Sequence, residues 1–289
     1  MIQIENKHLS ISVNPKGAEL QNIFCKDTNL EYLWNGDPAF WGKKSPVLFP
    51  IVGGLKNNSY QLNGATYQLD RHGFARDMEF QLTSNLKESI SFSLHANEET
   101  QKIYPFLFSF TITYTINKNK LICTYQITNV DLKPMFFSVG AHPAFKVPLE
   151  ENLAFNDYQL IFNSNETAQQ WPLTTEGLIK RAPIDFFKDT NTIALNKDLF
   201  YADALVFKEL KSTSISLSSN QSNHGFKFEY NDFPYMGIWS AKNADFVCIE
   251  PWCGIADHED ANGDFKQKDG INILIPGEMM SRTWSVELY

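Results

Sequence analysis

Four titratable side chains stand out in this chain, three of them set against apolar stretches and one within a charged turn, and any chemistry must start from them. His142 lies in Phe137-Ser138-Val139-Gly140-Ala141-His142-Pro143-Ala144-Phe145, an uncharged segment flanked by aromatic residues. Pro143 cannot donate to a sheet ladder and biases His142 toward an extended backbone, while Gly140 tolerates close approach by another group. This is the grammar of a strand reaching a rim with an imidazole at its exit. His72 belongs to Asp70-Arg71-His72-Gly73-Phe74-Ala75-Arg76-Asp77. There Gly73-Phe74-Ala75 is too apolar for a free turn and lets His72 and Arg76 face one cavity. Glu250 is the single carboxylate of Phe246-Val247-Cys248-Ile249-Glu250-Pro251-Trp252-Cys253-Gly254, and a carboxylate carried into a core needs donors or cations. Asp203 stands at the mouth of the apolar run Ala204-Leu205-Val206-Phe207, where turn capping and ligand contact are both open. Imidazole and carboxylate are the common groups of general acid–base catalysis. Each also has a plainer reading: a hydrogen-bonded core histidine, an ion-paired turn, a structural salt bridge.

The elements that must position these residues are strands. Phe106, Phe108, Phe110, Ile112, Tyr114 and Ile116 occupy alternate positions. After Asn117-Lys118-Asn119-Lys120 the alternation resumes with Leu121, Cys123, Tyr125 and Ile127, which predicts a hairpin. Ile90/Phe92/Leu94, Ile215/Leu217 and Phe226/Phe228/Tyr230 repeat the pattern, and Asn63-Gly64 is a strong turn signal inside Tyr60 to Leu69. Helical signals are confined to Asn97 to Ile103 and Pro38 to Trp41. The expected fold is all-β, a large antiparallel β-sandwich with few short helices. No linker, low-complexity block or repeat divides it, so residues 1–289 are expected to form one domain. The irregular stretch from Glu150 to Asn196 is expected to cover part of the sandwich as a loop-rich insertion.

Composition narrows the function. Among 289 residues, 43% are hydrophobic, with 23 Phe, 11 Tyr and 6 Trp, which suits a globular strand-rich chain. A net charge of -8 leaves no basic footprint for nucleic acid or an anionic membrane. No window approaches the roughly 18 apolar residues of a membrane span, and the amino terminus lacks the form of a secretory signal, so a cytoplasmic location is expected. Cys25, Cys123, Cys248 and Cys253 form no CxxC pair and are expected to be reduced and structural, with no metal at finger-like spacing. A small neutral or polar ligand fits this balance, bound by a monomer or homodimer.

Taken in order, HGFAR, GAHPAF, YADALVF and IEPWCG resemble the aldose 1-epimerase (galactose mutarotase-like) superfamily, in its LacX-like branch. The resemblance runs from SPVLFPIVGGLKNNSY to the carboxyl terminus. It implies a β-supersandwich, cofactor-free interconversion of the α and β anomers of an aldose, and a catalytic set falling on His72, His142 and Glu250. Asp203 would contact sugar hydroxyls. One position departs from the pattern: Gly54 follows Gly53 where related sequences commonly carry arginine. Lys56 or Arg76 is then the expected cationic anchor, with Arg71 able to point either way and Trp252 among the aromatics that can stack on a sugar.

Ring opening requires a proton to leave the anomeric hydroxyl as another reaches the ring oxygen. The resemblance makes Glu250 the base, His142 the acid and His72 a second donor, with no metal or nucleotide. A nearby carboxylate should favour protonated His142. Three alternatives stand beside this reading. One is a glycosidase using Asp203 and Glu250 as its carboxylate pair. Another is a non-catalytic carbohydrate-binding or regulatory protein, and the third is a hexose-6-phosphate 1-epimerase.

Overall fold

A computed structural model describes residues 1–289. The expected hairpin forms from Phe108–Asn117 and Lys120–Asn129, in a register that sets Phe110 opposite Ile127 and Ile112 opposite Tyr125. Its alternate side chains are buried and half-buried in turn, as period-two sequence requires. These strands lie within a nine-stranded antiparallel sheet, which runs from Thr190–Ala194 at one edge to Gln81–Leu86 at the other.

The second large sheet carries the site. It runs through Leu205–Lys208, Tyr235–Trp239, Phe246–Cys253, Val139–Ala141 and Val47–Leu48, and Ala144–Lys146 also pairs with Phe246–Cys253. One continuous apolar core of 67 buried residues lies between the layers. Phe145 meets Phe226 at 4.2 Å and Phe49 meets Phe110 at 4.9 Å across it, contacts worth roughly 0.5–1.5 kcal/mol each beyond their burial. The expected antiparallel sandwich is therefore the fold adopted. A smaller four-stranded sheet begins the chain with Ile2–Glu5, and the Asn63-Gly64 hairpin joins Ser59–Leu62 to Ala65–Gln68.

Helix is scarce, as expected. Glu98–Ile103 is a short α-helix whose first turn is capped by Asn97, the side chain accepting from the Glu99 and Thr100 amides at 3.0 and 2.9 Å. Pro38 to Trp41 forms only a turn, closed by the Trp41 amide on the Asp37 carbonyl. The stretch from Glu150 to Asn196 needs correction. It supplies Tyr158–Glu166 to the interior of the nine-stranded sheet, because Tyr158, Leu160 and Phe162 alternate into the core. Loop remains before Tyr158 and through much of 167–189, where the short strands Gln169–Gln170 and Ile184–Asp185 pair. No helix is long and apolar enough to cross a membrane.

Candidate active site

The Phe246–Cys253 strand is buried on both faces, and its alternation separates two tasks. Val247, Ile249 and Cys253 enter the inter-sheet core, while Cys248, Glu250 and Trp252 project from the opposite face. Trp252 lies flat across the neighbouring strands because two of its neighbours are glycines. A Cβ on Gly237 would meet its ring at 2.3 Å, and one on Gly140 at 2.7 Å. The close approach that Gly140 permits is thus made by an indole, which forms part of a cavity floor.

His142 follows directly on Val139–Ala141, at the strand exit expected of it. Its Nε2 lies 3.2 Å from Glu250 Oε2, and the two side chains retain only 9% and 2% of their exposure. Trp41 stacks on the imidazole at 4.9 Å with 27° between the planes, and Trp239 meets it edge-on at 5.7 Å. These aromatic walls hold the ring orientation and exclude water.

His72 reaches the same cavity from a strained backbone. Its φ is +71°, and that of Asp203 is +92°, both in the left-handed region that non-glycine residues rarely adopt. The amide of His72 donates to the Gly53 carbonyl at 2.9 Å, while the Gly53 amide donates to His72 Nδ1 at 3.1 Å. Because Nδ1 accepts, the proton of the neutral ring belongs on Nε2. The rings of His72 and His142 lie 5.8 Å apart and nearly perpendicular.

The electrostatics of this floor are set by burial. It raises the Glu250 carboxyl well above the usual carboxylate range, with Arg71 opposing the rise and Asp203 adding to it. Burial pushes His142 down to about 3, and the Arg76 and Arg71 guanidinium groups push the same way. His72 is likewise held well below its usual value, first by burial, then by His142 and the two arginines. The expectation that a carboxylate would hold His142 protonated is therefore not met. The desolvation cost of two separated charges outweighs their attraction across 3.2 Å. A neutral carboxyl beside a neutral imidazole contains the same single proton as a carboxylate beside an imidazolium. The pair therefore carries one mobile proton in either form.

A cavity of about 790 Å³ opens above this pair, within the range of about 300–1,000 Å³ common for small-molecule sites. Residues 173–180 and 201–204 cover it. Arg71 Nη2 stands 3.8 Å from Asp203 Oδ2, and Arg76 donates to the Arg71 carbonyl at 2.9 Å. His72, His142, Glu250, Asp203, Arg71, Arg76 and Trp252 all line this cavity, although they come from distant segments. Lys56 does not line it. That residue opens a one-turn 3-10 helix, Lys56–Asn58, and its amide donates to Asp257 Oδ2 at 3.0 Å beyond the cavity. Sequence reasoning overlooked Lys180, Tyr201 and Trp239 as wall residues. Trp239 ends an alternating run in Tyr235–Trp239 and was accessible to it; Lys180 lies in loop with no such signal.

A family model described as aldose 1-epimerase matches residues 1–270. The chain is 32% identical over 300 aligned residues to the plasmid-encoded protein LacX of Lactococcus lactis subsp. lactis, with 99% of each chain covered. Among solved structures, it is similar to a galactose mutarotase related enzyme from Lactobacillus acidophilus. That match has a TM-score of 0.95 and 36% identity, covering 100% of this chain and 97% of the other. A galactose mutarotase-like protein from Lactobacillus casei ATCC 334 matches with a TM-score of 0.94 and 32% identity, covering 100% of both chains. The sandwich described above is thus of the galactose mutarotase-like kind.

Proposed function

The chain belongs to the aldose 1-epimerase family, and on that premise we propose that it interconverts the α and β anomers of a free hexose or related aldose, working as one domain. The observation that carries this reading is the 3.2 Å contact between His142 Nε2 and Glu250 Oε2 on the floor of a sugar-sized cavity, with His72 beside it.

The proton inventory of the pair matches the reaction. Glu250, ionised while its partner proton rests on His142, takes the proton of the anomeric hydroxyl as His142 gives its own to the ring oxygen. The C1–O5 bond breaks, leaving an open aldehyde above a neutral carboxyl and a neutral imidazole, the form that burial favours. Rotation about C1–C2 presents the other face of the aldehyde. Reclosure returns the hydroxyl proton to His142 and the Glu250 proton to the carbonyl oxygen. His72, with its proton on Nε2, is a hydrogen-bond donor toward the charge developing on the ring oxygen. Asp203, Arg71 and Arg76 bind hydroxyls, and Trp252 offers its face to the C–H side of the sugar. Each well-placed acid or base contributes about 10²–10⁴-fold, which suffices for a reaction that already proceeds in water.

Saturation-transfer NMR on anomeric resonances tests the assignment. Wild-type protein should accelerate exchange, and His142→Ala and Glu250→Gln should each slow it while remaining folded. Full rates in both variants would sink the assignment, and sugar binding without any acceleration in wild type would select a non-catalytic sugar-binding protein. A second reading has its own support, since Arg71, Arg76 and Lys180 all border the cavity and can receive a phosphate. A preference for hexose 6-phosphates over free hexoses in the same assay would select it.

A further inference from the structure

One more reactive side chain lies beneath the floor, fully buried among Trp34, Ala144, Ala244 and Phe246 and separate from the cavity lining. Cys248 precedes Glu250 by two residues, so strand alternation sends its thiol to the same face. Its Sγ, a ring nitrogen of His142 and a carboxylate oxygen of Glu250 lie within 4.8 Å of one another, all from buried residues. Cys253 differs: it enters the opposite core, where its sulfur accepts from Arg282 Nε at 3.3 Å.

We propose that Cys248, His142 and Glu250 form a site for a borderline-soft divalent cation of the zinc class, reached through the cavity. Thiolate, imidazole and carboxylate are together the donor set that suits zinc, and three protein ligands leave a fourth position toward the open space. Donors around a tetrahedral zinc stand roughly 3.3–3.6 Å apart, as follows from bond lengths near 2.0–2.3 Å. The 3.2 Å between His142 and Glu250 is within about 0.1 Å of that range, so the larger adjustment falls to the Cys248 thiol. Charge favours the arrangement as well. A carboxylate and a thiolate together balance the charge of a dication. Binding expels two protons, one from the thiol and one from the His142–Glu250 pair, so affinity rises with pH. The cation occupies the nitrogen and oxygen that would exchange protons with a sugar. Inhibition of anomer exchange therefore rests on the function proposed above, whereas the site itself does not.

Titration with Co²⁺ under a non-thiol reductant separates the two claims. Wild-type protein should develop a sulfur-to-cobalt charge-transfer band in the near ultraviolet, saturating at one equivalent and strengthening with pH. Cys248→Ala and the near-isosteric Cys248→Ser should lose the band, although Cys25, Cys123 and Cys253 remain. Absence of the band in wild type, or its survival in either folded variant, overturns the site. In the activity arm, Zn²⁺ should slow wild-type exchange by about tenfold or more and leave Cys248→Ser unaffected. Equal inhibition of both would show that the effect does not pass through Cys248 and would overturn this inhibition claim. A protein that binds Co²⁺ through Cys248 yet exchanges no anomers retains the metal site and refutes the epimerase reading alone.

Discussion

Two cavities lie at consecutive residues of this chain, Ala256 lining one and Asp257 the other, and they treat buried charge in opposite ways. In the second cavity, of about 530 Å³, charges are matched. Lys268 Nζ stands 3.2 Å from Asp257 Oδ1 and donates to the Ile255 carbonyl. Asp269 Oδ2 receives His258 Nε2 at 3.1 Å and Lys208 Nζ at 3.0 Å, and Lys208 also caps the Trp171 ring at 4.1 Å. Although burial opposes it, Lys208 holds the Asp269 carboxyl below its usual value. In the larger cavity, Glu250 has for its nearest partner a histidine that burial itself neutralises. The difference teaches that pairing fixes protons where only stability is needed, while the incompletely compensated pair keeps one proton free to move.

The largest effect expected from breaking this contrast is on catalysis. Glu250→Gln or His142→Ala should lower anomer exchange by about 10²–10⁴-fold, read by saturation-transfer NMR, with folding retained. The matching change in the other cavity is Lys268→Met, which leaves Asp257 buried without its cation. Stability should fall by about 3–5 kcal/mol in chemical denaturation, while exchange per folded molecule stays at the wild-type rate. A loss of turnover without loss of stability in Lys268→Met would erase the distinction between the two cavities.

The next effect follows from the sign of the Glu250 shift. In the unfolded chain this carboxyl loses its proton near 4.5, whereas in the folded protein burial keeps the proton on to higher pH. Above 4.5 the native state therefore binds more protons, and its stability falls as pH rises, by up to about 1.4 kcal/mol per unit until the raised value is passed. Glu250→Gln has no such titration. Wild type should lose stability relative to the variant as pH rises above 4.5, so the substitution that is expected to slow turnover should become progressively less costly to stability. Parallel stability curves would mean that Glu250 is ionised and fully compensated, as Lys208 keeps Asp269 in the other cavity.

Much of the site was legible because its residues break a pattern. Glu250 interrupts a strand whose every residue is buried, and His142 follows a strand that a proline must end. The sandwich was legible from alternation alone, most clearly in Phe108–Asn117. Other features depend on which segments converge. The same alternation in Tyr158, Leu160 and Phe162 was masked by the polar residues around it. Lys56 looked like a cavity cation until Lys56–Asn58 turned the chain, with Asn57 at a φ of +58°. The protonation of His142 was misjudged because the sequence shows a carboxylate nearby but not the aromatic walls that dry both groups. Cys248 offered no spacing signal, since His142 comes from a different segment, just past Val139–Ala141.

The smallest effect sharpens the contrast at the cavity rim, where charge is exposed and screened. The family resemblance leads one to expect an arginine at Gly54, yet the space such a side chain would enter is not left without a cation. A Cβ on Gly54 would face the Gly177 carbonyl at 3.9 Å, and the Arg71 guanidinium already lies against the other side of Gly177, 2.0 Å from where a Cβ would be. Arg71 thus reaches the same corner from the next loop and stands 3.8 Å from Asp203. With its side chain 45% exposed, it should contribute to binding more than to the chemical step. Arg71→Ala should raise KM by about tenfold, roughly 1.4 kcal/mol, and change kcat little, whereas Lys56→Ala should change neither. Adding Gly54→Arg to Arg71→Ala should recover most of the lost affinity, because no atom lies closer than 3.8 Å to the new Cβ and the corner has been vacated. Failure of the double variant to recover, with both proteins folded, would show that Arg71 acts through Asp203 rather than as a replacement anchor for the sugar.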